Sequence, residues 1–264
     1  MSVKFGQHFL KSETLLKEIA DFAQIDNEDI VLEIGSAYGN LTSYLTKAKK
    51  VYAVEIDSQL FSKLVENMKK FPNVECINVD ILKYDFPKDV NKIVGNLPYE
   101  ISSPITEKIL EFLNEQKLSG VKNVLAILMY QKEFAERMTS FPGLPSYSRL
   151  SVLINYYAEV EILKNVPRTL FRPAPKVDSN IVKLIPLGVK RNDALFKLTK
   201  ILFMHKNKKV FNALIDSRDH LKIKDKDKLK EILLSRLGEF SEKKVFYLEI
   251  EELEEITKKL FDLL

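Results

Sequence analysis

Short apolar runs rich in β-branched residues alternate with longer amphipathic segments through the first two-thirds of the chain. Each run is bounded by Gly, Asp or Asn, which is typical of buried strands. The runs are DIVLEIG (29–35), KVYAVEI (50–56), VECINV (74–79), KIVGN (92–96) and NVLAILMY (123–130). The segments between them carry the helical spacing of apolar residues. This alternation predicts an α/β fold with a mostly parallel sheet and helices on both faces.

The last third of the chain follows a different pattern. Two strand-like segments, AEVEILKNV and SNIVKLIPL, are joined by the proline-rich PRTLFRPAPK and are predicted to form a late strand pair. From about residue 191 onward the apolar spacing is helical throughout. The sequence therefore predicts a sheet-containing domain over residues 1–188 and a small all-helical domain over residues 189–264.

Composition narrows the class of protein. The chain has 264 residues, of which 45% are hydrophobic and 30% charged, enough for a sizeable core. A single cysteine, Cys76, excludes an internal disulfide framework and a cysteine-built metal site. No apolar run approaches membrane-spanning length, and the first residues lack the apolar core of a signal peptide. We therefore expect a cytoplasmic protein, monomeric by default, with no metal and no membrane partner.

Positive charge is concentrated in the predicted helical domain. The formal net charge is only +4, but residues 190–230 contain 13 Lys or Arg against 5 Asp or Glu. A basic region on a mildly acidic body suggests a polyanionic partner such as a nucleic acid. The alternative is a solvated lysine-rich helical face, and charge alone does not separate the two interpretations.

Candidate ligand-binding residues follow three of the predicted strands. Gly35 and Gly39 lie in the first strand-to-helix turn, VLEIGSAYGNLT, where they allow tight turns and close approach of a ligand. Glu55 ends the next strand, where a carboxylate can accept both hydroxyls of a ribose, and Asp80 follows the third strand. Because ligands of open α/β sheets bind beyond the carboxyl ends of the strands, these features together favour an adenosine-containing cofactor.

The glycine pattern helps to distinguish between cofactors. A dinucleotide fingerprint would place glycines at 35, 37 and 40, but Ala37 and Asn40 occupy two of these positions. A methyl donor has no pyrophosphate, and needs only close backbone approach to its amino acid end and a carboxylate for its ribose. The pattern therefore favours a methyl-transfer enzyme, and a nicotinamide-dependent dehydrogenase is the alternative.

The stretch NLPY, residues 96–99, ends the fourth predicted strand and has the groups needed to activate a nucleobase amine. Such an amine is a poor nucleophile because its lone pair is delocalised into the ring. The Asn96 side chain and the Leu97 main-chain carbonyl can each accept one of its N–H groups and favour tetrahedral nitrogen. Pro98 fixes φ, and Tyr99 offers a ring for a splayed-out base. An isolated Asn-x-Pro-Tyr is more simply a turn, but its position after this pocket favours the chemical role.

Motifs in a fixed order give the chain a specific resemblance. They include FGQHFL (5–10), VEID (54–57), NVDIL (78–82), NLPYEISSPI (96–105) and FRPAPKVDS (171–179). With VLEIGSAYGNLT, they make the first 190 residues or so similar to the ribosomal RNA adenine dimethyltransferase family. The resemblance implies a Rossmann-like methyltransferase domain that uses S-adenosyl-L-methionine, followed by a small helical RNA-binding domain. The chain departs from the family at Ala37, where a glycine is common.

The resemblance also assigns roles to individual residues. S-adenosyl-L-methionine would contact residues of the N-terminal segment, of the first turn and of the strand ends. These residues are Gln7, His8, Leu10, Gly35, Glu55, Asp80 and Asn96. Phe171 would provide a second ring near the flipped base, beside Tyr99. A capped loop histidine is the alternative for His8, but its setting within GQHFL favours the cofactor role. In the basic region we expect Lys206, Lys208 and Lys209 to contact RNA phosphates.

Members of this family dimethylate two adjacent adenosines in a hairpin loop near the 3′ end of small-subunit ribosomal RNA. The resemblance therefore implies immature small ribosomal subunits as the partner. Erythromycin-resistance relatives act on large-subunit RNA, but NLPYEISSP and PAPKVDS are more similar to the small-subunit group. The motifs do not separate the chain from relatives that serve as mitochondrial transcription factors. A ribosome-assembly factor in which catalysis is secondary is a further alternative.

Overall fold

The computed structural model describes residues 8–264, so the predicted cofactor contact at Gln7 lies outside the described residues. The chain forms two compact units. The sheet unit comprises the chain up to Ala135 together with Tyr157–Lys190, and the helical unit comprises Glu136–Tyr156 together with Arg191–Leu264. Among residues 8–264, no helix combines the length and the apolar character needed to cross a membrane.

A seven-stranded sheet forms the centre of the sheet unit, and a two-stranded ladder accompanies it. The strands are β1 (Phe9–Leu10), β2 (Ile30–Ile34), β3 (Lys50–Glu55), β4 (Val74–Asn78), β5 (Lys92–Asn96), β6 (Leu125–Gln131), β7 (Ala158–Val166), β8 (Phe171–Arg172) and β9 (Ser179–Pro186). The order in the main sheet is β4-β3-β2-β5-β6-β9-β7. Its first five strands run parallel, and β9 and β7 add antiparallel pairings. The predicted α/β fold with a mostly parallel sheet is confirmed.

Helices connect the parallel strands and build the helical unit. They are α1 (Glu13–Ala23), α2 (Thr42–Leu45), α3 (Ser58–Met68), α4 (Ser102–Leu118), α5 (Lys132–Met138), α6 (Arg149–Tyr157), α7 (Asp193–Phe203), α8 (Val210–Asp216), α9 (Lys226–Leu237) and α10 (Ile250–Leu260). Local sequence sets several of their starts. Ser12 accepts the N–H of Leu15 at the start of α1, and Asp57 caps α3, because short polar side chains satisfy the free N–H groups of a first turn.

Glycine is required where β5 meets β2. Gly95 lies opposite Ile34 in the parallel register. A Cβ at Gly95 would lie 2.7 Å from the carbonyl oxygen of Ile34, closer than a real side chain allows. The missing side chain therefore lets these two strands run side by side up to the point where both end.

The two-stranded ladder was not predicted from the sequence. β1 pairs antiparallel with β8, so that Leu10 lies opposite Phe171. Both residues are buried in a core cluster of the sheet unit. A ladder of two residues is too short to leave a periodic signal, and its strands are far apart in sequence.

The observed division of the chain differs from the single boundary expected between residues 188 and 189. The segment 136–156 belongs to the helical unit, whereas the sequence pattern placed it in the first domain. Tyr147 and Val152 of this segment are buried in one core cluster with Leu214 and Leu253. The Tyr147 hydroxyl also donates to the carbonyl of Leu248 at 2.8 Å. This hydrogen bond joins residues 101 apart in sequence, a contact that a local apolar pattern does not reveal.

A buried ion pair lies at the amino ends of the central strands. Lys92 and Asp29 are 2% and 1% exposed, and the Lys92 ammonium lies 2.6 Å from the Asp29 carboxylate. The Lys92 Nζ also donates to the carbonyl of Gln24 at 2.6 Å, and Asn91 donates to the other oxygen of Asp29 at 2.7 Å. Both buried charges are therefore compensated by hydrogen bonds, as burial requires.

We expect Lys92→Met to lower the free energy of unfolding by about 3–5 kcal/mol, because it leaves the buried Asp29 charge without its partner. Urea unfolding followed by circular dichroism measures the change. Lys63→Met, which removes an exposed pair with Glu66, is the control and should cost ~0–1 kcal/mol. If the two substitutions lower the free energy of unfolding equally, the buried pair contributes no more to stability than an exposed one.

Candidate active site

A cavity of about 240 Å³ opens at the carboxyl ends of β2, β3 and β5. Its walls come from the turns that follow these strands, from the loop after β4 and from the N-terminal segment. The structure brings together in this lining most of the residues predicted from the sequence, namely His8, Leu10, Gly35, Glu55, Asp80, Asn96, Leu97 and Tyr99. The cavity therefore lies where an open α/β sheet binds its ligand.

The turn after β2 wraps its backbone around the end of β3. The N–H groups of Gly35 and Ser36 both donate to the carbonyl of Val54, at 2.9 and 3.0 Å. Gly35 has φ +77° and Ala37 has φ +49°, so Ala37 adopts the left-handed conformation that a glycine would take without strain. The buried Ser36 hydroxyl lines the cavity and makes no hydrogen bond of standard geometry among residues 8–264, but it lies close enough to the Glu33 carboxylate to oppose the rise of the Glu33 pKa. It can therefore donate to Glu33 or to a ligand.

Glu55 is fixed in place by two backbone N–H groups. Glu55 is only 4% exposed. Its two carboxylate oxygens accept the backbone N–H groups of Ala37 and Asp57, each at 2.9 Å. Burial raises the pKa of Glu55 above its ordinary value, and the two hydrogen bonds oppose that rise. Each oxygen keeps a further lone pair, so the carboxylate can also accept the two hydroxyls of a ribose.

Asp80 lies in a loop that Lys108 stabilises. The Asp80 side chain accepts the N–H of Leu82 at 3.0 Å. The Lys108 ammonium, from α4, donates to the carbonyls of Ile81, Leu82 and Tyr84 at 3.1, 3.0 and 2.6 Å. Partial burial of the Lys108 ammonium lowers the pKa of this group. The Asp80 loop is thus held in place at the cavity wall.

Glu33 is a cavity residue that the sequence analysis did not select. It lies in β2, is buried, and accepts a hydrogen bond of 2.5 Å from the Thr42 hydroxyl. Burial is the main cause that raises the pKa of Glu33 to about 7. The available signal was a carboxylate within the otherwise apolar VLEIG, which is unusual for a buried strand.

The Asn96 amide is oriented by the N-terminal segment. Its Nδ2 donates to the carbonyl of His8 at 3.0 Å. This bond leaves Oδ1 as an acceptor without a partner among the described residues, at the cavity wall. Leu97 is buried and also lines the cavity, and Pro98 follows with φ −59°. The amide oxygen and the Leu97 main chain are therefore next to each other at the end of β5.

The half-buried Tyr99 ring is held from two sides. Its hydroxyl lies 3.0 Å from the Ser179 hydroxyl. Its ring centroid lies 5.5 Å from that of His8, with a tilt of 32° between the rings. The His8 Nδ1 lies 2.8 Å from the carbonyl of Pro173, and must carry its proton to donate to that oxygen. Burial raises the pKa of the Tyr99 hydroxyl, which favours its neutral form.

Phe171 is not where a second base-stacking ring was expected. Its side chain is 4% exposed and packs in the core cluster that contains Leu10 and Ile181. It is absent from the cavity lining. The physical reason is that Phe171 pairs with Leu10 across the β1–β8 ladder, and both side chains are buried in the core of the sheet unit. A contact between Phe171 and a substrate base would require this packing to open.

The three predicted phosphate ligands lie in the helical unit and already have partners. Lys206 donates to the carbonyl of Pro145 at 3.2 Å, and Lys208 lies 2.6 Å from the Asp216 carboxylate. Lys209 is paired with Glu242. Such exposed ion pairs contribute little, so a phosphate can replace the carboxylates at small cost.

The fold and the cavity define a class of protein. A mostly parallel sheet with a carboxylate at the end of β3, another just after β4 and an amide at the end of β5 fits a Rossmann-like methyltransferase. Comparison with known proteins agrees. A family model described as ribosomal RNA adenine dimethylase matches residues 1–252. The chain belongs to this family, and is a ribosomal RNA methyltransferase that uses S-adenosyl-L-methionine as its methyl donor.

Individual relatives are similar over almost the whole chain. A probable ribosomal RNA small subunit methyltransferase A from Methanopyrus kandleri is 43% identical over 236 residues, which cover 87% of this chain and 81% of the relative. A protein of the same description from Methanococcus maripaludis is 43% identical over 268 residues, covering 99% and 98% of the two chains. The nicotinamide-dependent alternative is therefore wrong.

Solved structures also match. A dimethyladenosine transferase from Plasmodium falciparum superposes with a TM-score of 0.82 at 32% identity, covering 96% of this chain and 98% of that chain. The 23S ribosomal RNA methyltransferase ErmE gives a TM-score of 0.67 at 27% identity, covering 96% and 99%. Both likenesses extend beyond the sheet unit.

We expect the stability of the protein to depend on the protonation of Glu33. Because the pKa of Glu33 is about 7 in the folded protein against 4.5 for the free group, the folded state retains a proton that the unfolded state loses. The free energy of unfolding of the wild type therefore falls as the pH rises from about 4.5 to about 7, by at most about 1.4 kcal/mol per pH unit. Glu33→Gln removes this cost.

Urea unfolding at pH 5 and pH 8 measures the effect. The wild type should lose stability relative to Glu33→Gln between the two values. Glu66→Gln, an exposed carboxylate replaced in the same way, controls for the loss of a charge. A difference between wild type and Glu33→Gln that does not change with pH would contradict the shifted pKa.

Proposed function

We propose that this protein dimethylates the exocyclic amines of two adjacent adenosines in a hairpin loop near the 3′ end of small-subunit ribosomal RNA. We further propose that it acts as a monomer in the cytoplasm, on immature small subunits, and that the modification is coupled to subunit biogenesis. The proposal rests chiefly on Asn96, which lines the cavity and whose Nδ2 bond to the His8 carbonyl leaves Oδ1 without a partner among residues 8–264. The names of the relatives, small subunit methyltransferase A, support the choice of RNA.

The cavity carries polar groups that suit the methyl donor. A carboxylate fixed by two N–H groups at Glu55 would bind the ribose, and Asp80 would accept from the adenine amine. The turn at Gly35, with the buried Ser36 hydroxyl next to it, would accommodate the methionine end. When bound, S-adenosyl-L-methionine supplies an electrophilic methyl group. His8 and Leu10 would close the cavity from the N-terminal side.

The NLPY segment would activate the substrate amine. Asn96 Oδ1 and the Leu97 carbonyl would each accept one N–H of the amine, which draws the nitrogen toward tetrahedral geometry and frees its lone pair. The Tyr99 ring would stack on the flipped base and favour the positive charge that develops on its nitrogen. Unpaired bases of an RNA loop are accessible to such a ring. The product ammonium is acidic, so the site requires no strong general base.

We expect Asn96→Ala to lower kcat for methylation of immature small subunits by about 10²- to 10³-fold, because it removes an acceptor aimed at the reacting amine. Transfer of radiolabelled methyl groups to the RNA measures the rate. Asn27→Ala is the control, since it removes an exposed amide that precedes β2 and does not line the cavity. A wild-type rate in Asn96→Ala would show that the amide has no catalytic role.

We expect the helical unit to contribute to RNA affinity through its lysines. Replacing Lys208 and Lys209 by Gln should weaken RNA binding and reduce the slope of log affinity against log salt by about 1–2, since each phosphate contact releases counterions. Binding measured between low and moderate salt tests this. Lys63→Gln, an exposed lysine of the sheet unit, is the control. If the slope of log affinity against log salt does not change, these lysines do not contact RNA phosphates and contribute only to solubility.

The position of the modification and its link to biogenesis can be tested in cells. Deletion of the gene should remove two dimethylated adenosines from one small-subunit RNA hairpin, as seen by mass mapping. Expression of Glu55→Ala should then restore neither the modification nor normal subunit maturation. Maturation restored by this inactive variant would favour the alternative of an assembly factor whose catalysis is secondary.

A further inference from the structure

The segment from Pro173 to Ser179 has no role in the activity described above, although its sequence carried much of the family resemblance. It connects β8 to β9 and contains the prolines of FRPAPKVDS. Phe171, two residues before it, is buried in the core, and Ser179, at its end, is 0% exposed. Both ends of the segment are therefore fixed to the sheet unit.

Two polar atoms of this segment contact the side chains around the NLPY stretch. The Ser179 hydroxyl lies 3.0 Å from the Tyr99 hydroxyl, and the Pro173 carbonyl lies 2.8 Å from His8 Nδ1. His8 in turn packs its ring beside that of Tyr99, and its own carbonyl accepts from Asn96. One end of the segment thus fixes the outer end of the tyrosine, and the other fixes the histidine beside it.

We propose that Ser179 is a positioning residue of the methyltransferase, and that the segment 173–179 sets the orientation of the Tyr99 ring through it. The inference rests on the proposed function, in which Tyr99 stacks on the substrate base. A phenol ring rotates about two side-chain bonds. The hydrogen bond at the Tyr99 hydroxyl fixes the direction of the axis from Cβ to the hydroxyl oxygen, and the neighbouring His8 ring limits rotation about that axis. The ring is therefore oriented before the base arrives, and less ordering remains to be done on binding.

The geometry also explains why Phe171 and Ser179 lie in one motif. Phe171 anchors the chain in the core just before the segment, and Ser179 begins β9 opposite Gln131 at the end of β6. Because β6 pairs with β5, Ser179 and Asn96 belong to neighbouring parts of one sheet edge. The position of the hydroxyl is therefore determined by the same sheet that positions the amide.

A double-mutant cycle tests the proposal. We expect Ser179→Ala and Tyr99→Phe each to lower kcat by about three- to tenfold, the equivalent of one hydrogen bond, with the affinity for S-adenosyl-L-methionine unchanged in calorimetry. If the two groups act through one bond, Ser179→Ala should change kcat less than twofold when made in Tyr99→Phe. Equal effects of Ser179→Ala in both backgrounds, or no effect in either, would overturn the proposal.

Ser151→Ala is the matched control, because Ser151 is also buried and its hydroxyl donates to the carbonyl of Arg137 at 2.7 Å. This variant should retain wild-type kcat. Thermal unfolding of all variants shows whether a lower kcat comes from lost folding or from a misoriented Tyr99 ring. If Ser179→Ala fails to fold, Tyr99→Phe removes the same hydrogen bond from its other, half-buried partner.

A measurement without RNA separates this inference from the proposed function. With 3-fluorotyrosine incorporated at position 99, the ¹⁹F resonance of the free protein should shift in Ser179→Ala and stay unchanged in Ser151→Ala. A shift without methylation of small-subunit RNA by the wild type would contradict the proposed function only. An unshifted resonance would show that the hydroxyl pair does not orient the ring, whatever the substrate.

Discussion

Parallel strands begin at one edge of a sheet and end at the other, and this constraint brings the chemistry of the protein together. β2, β3, β4 and β5 all end at the edge where the cavity opens. Residues separated by 61 positions in sequence, from Gly35 to Asn96, therefore line one cavity. The close approach of β5 to β2 at Gly95 keeps the amide of Asn96 next to the turn of Gly35.

Hydrogen bonds from outside the sheet then set the direction of each functional group. The Glu55 carboxylate is oriented by backbone N–H groups of two turns, and the Asn96 amide by the carbonyl of His8. An asparagine amide has two orientations that differ only in which end faces the ligand. The bond to His8 selects the one that presents oxygen, so a backbone atom of the N-terminal segment determines what the side chain can bind.

Local sequence patterns were sufficient for the parallel part of the fold and for most of the cavity. Strand-length apolar runs predicted β2 to β6, and strand-end polar residues predicted Glu55, Asp80 and Asn96 at one site. The position of Phe171 was not predictable, because its burial follows from a two-residue ladder with a distant strand. Glu33 was missed because its proximity to Thr42 depends on the turn between them, and the lysine pairs depend on acidic residues brought near by folding.

The path of the chain through the two units has a consequence for anyone who would exchange them between enzymes. The polypeptide leaves the sheet unit after Ala135, returns at Tyr157 and leaves again after Lys190. A graft that transferred only residues 191–264 would lack Tyr147 and Val152, and would open a void in the interior of the donated piece. A working chimera must carry both stretches, so the helical unit behaves as an insertion completed by a tail rather than as a detachable C-terminal module.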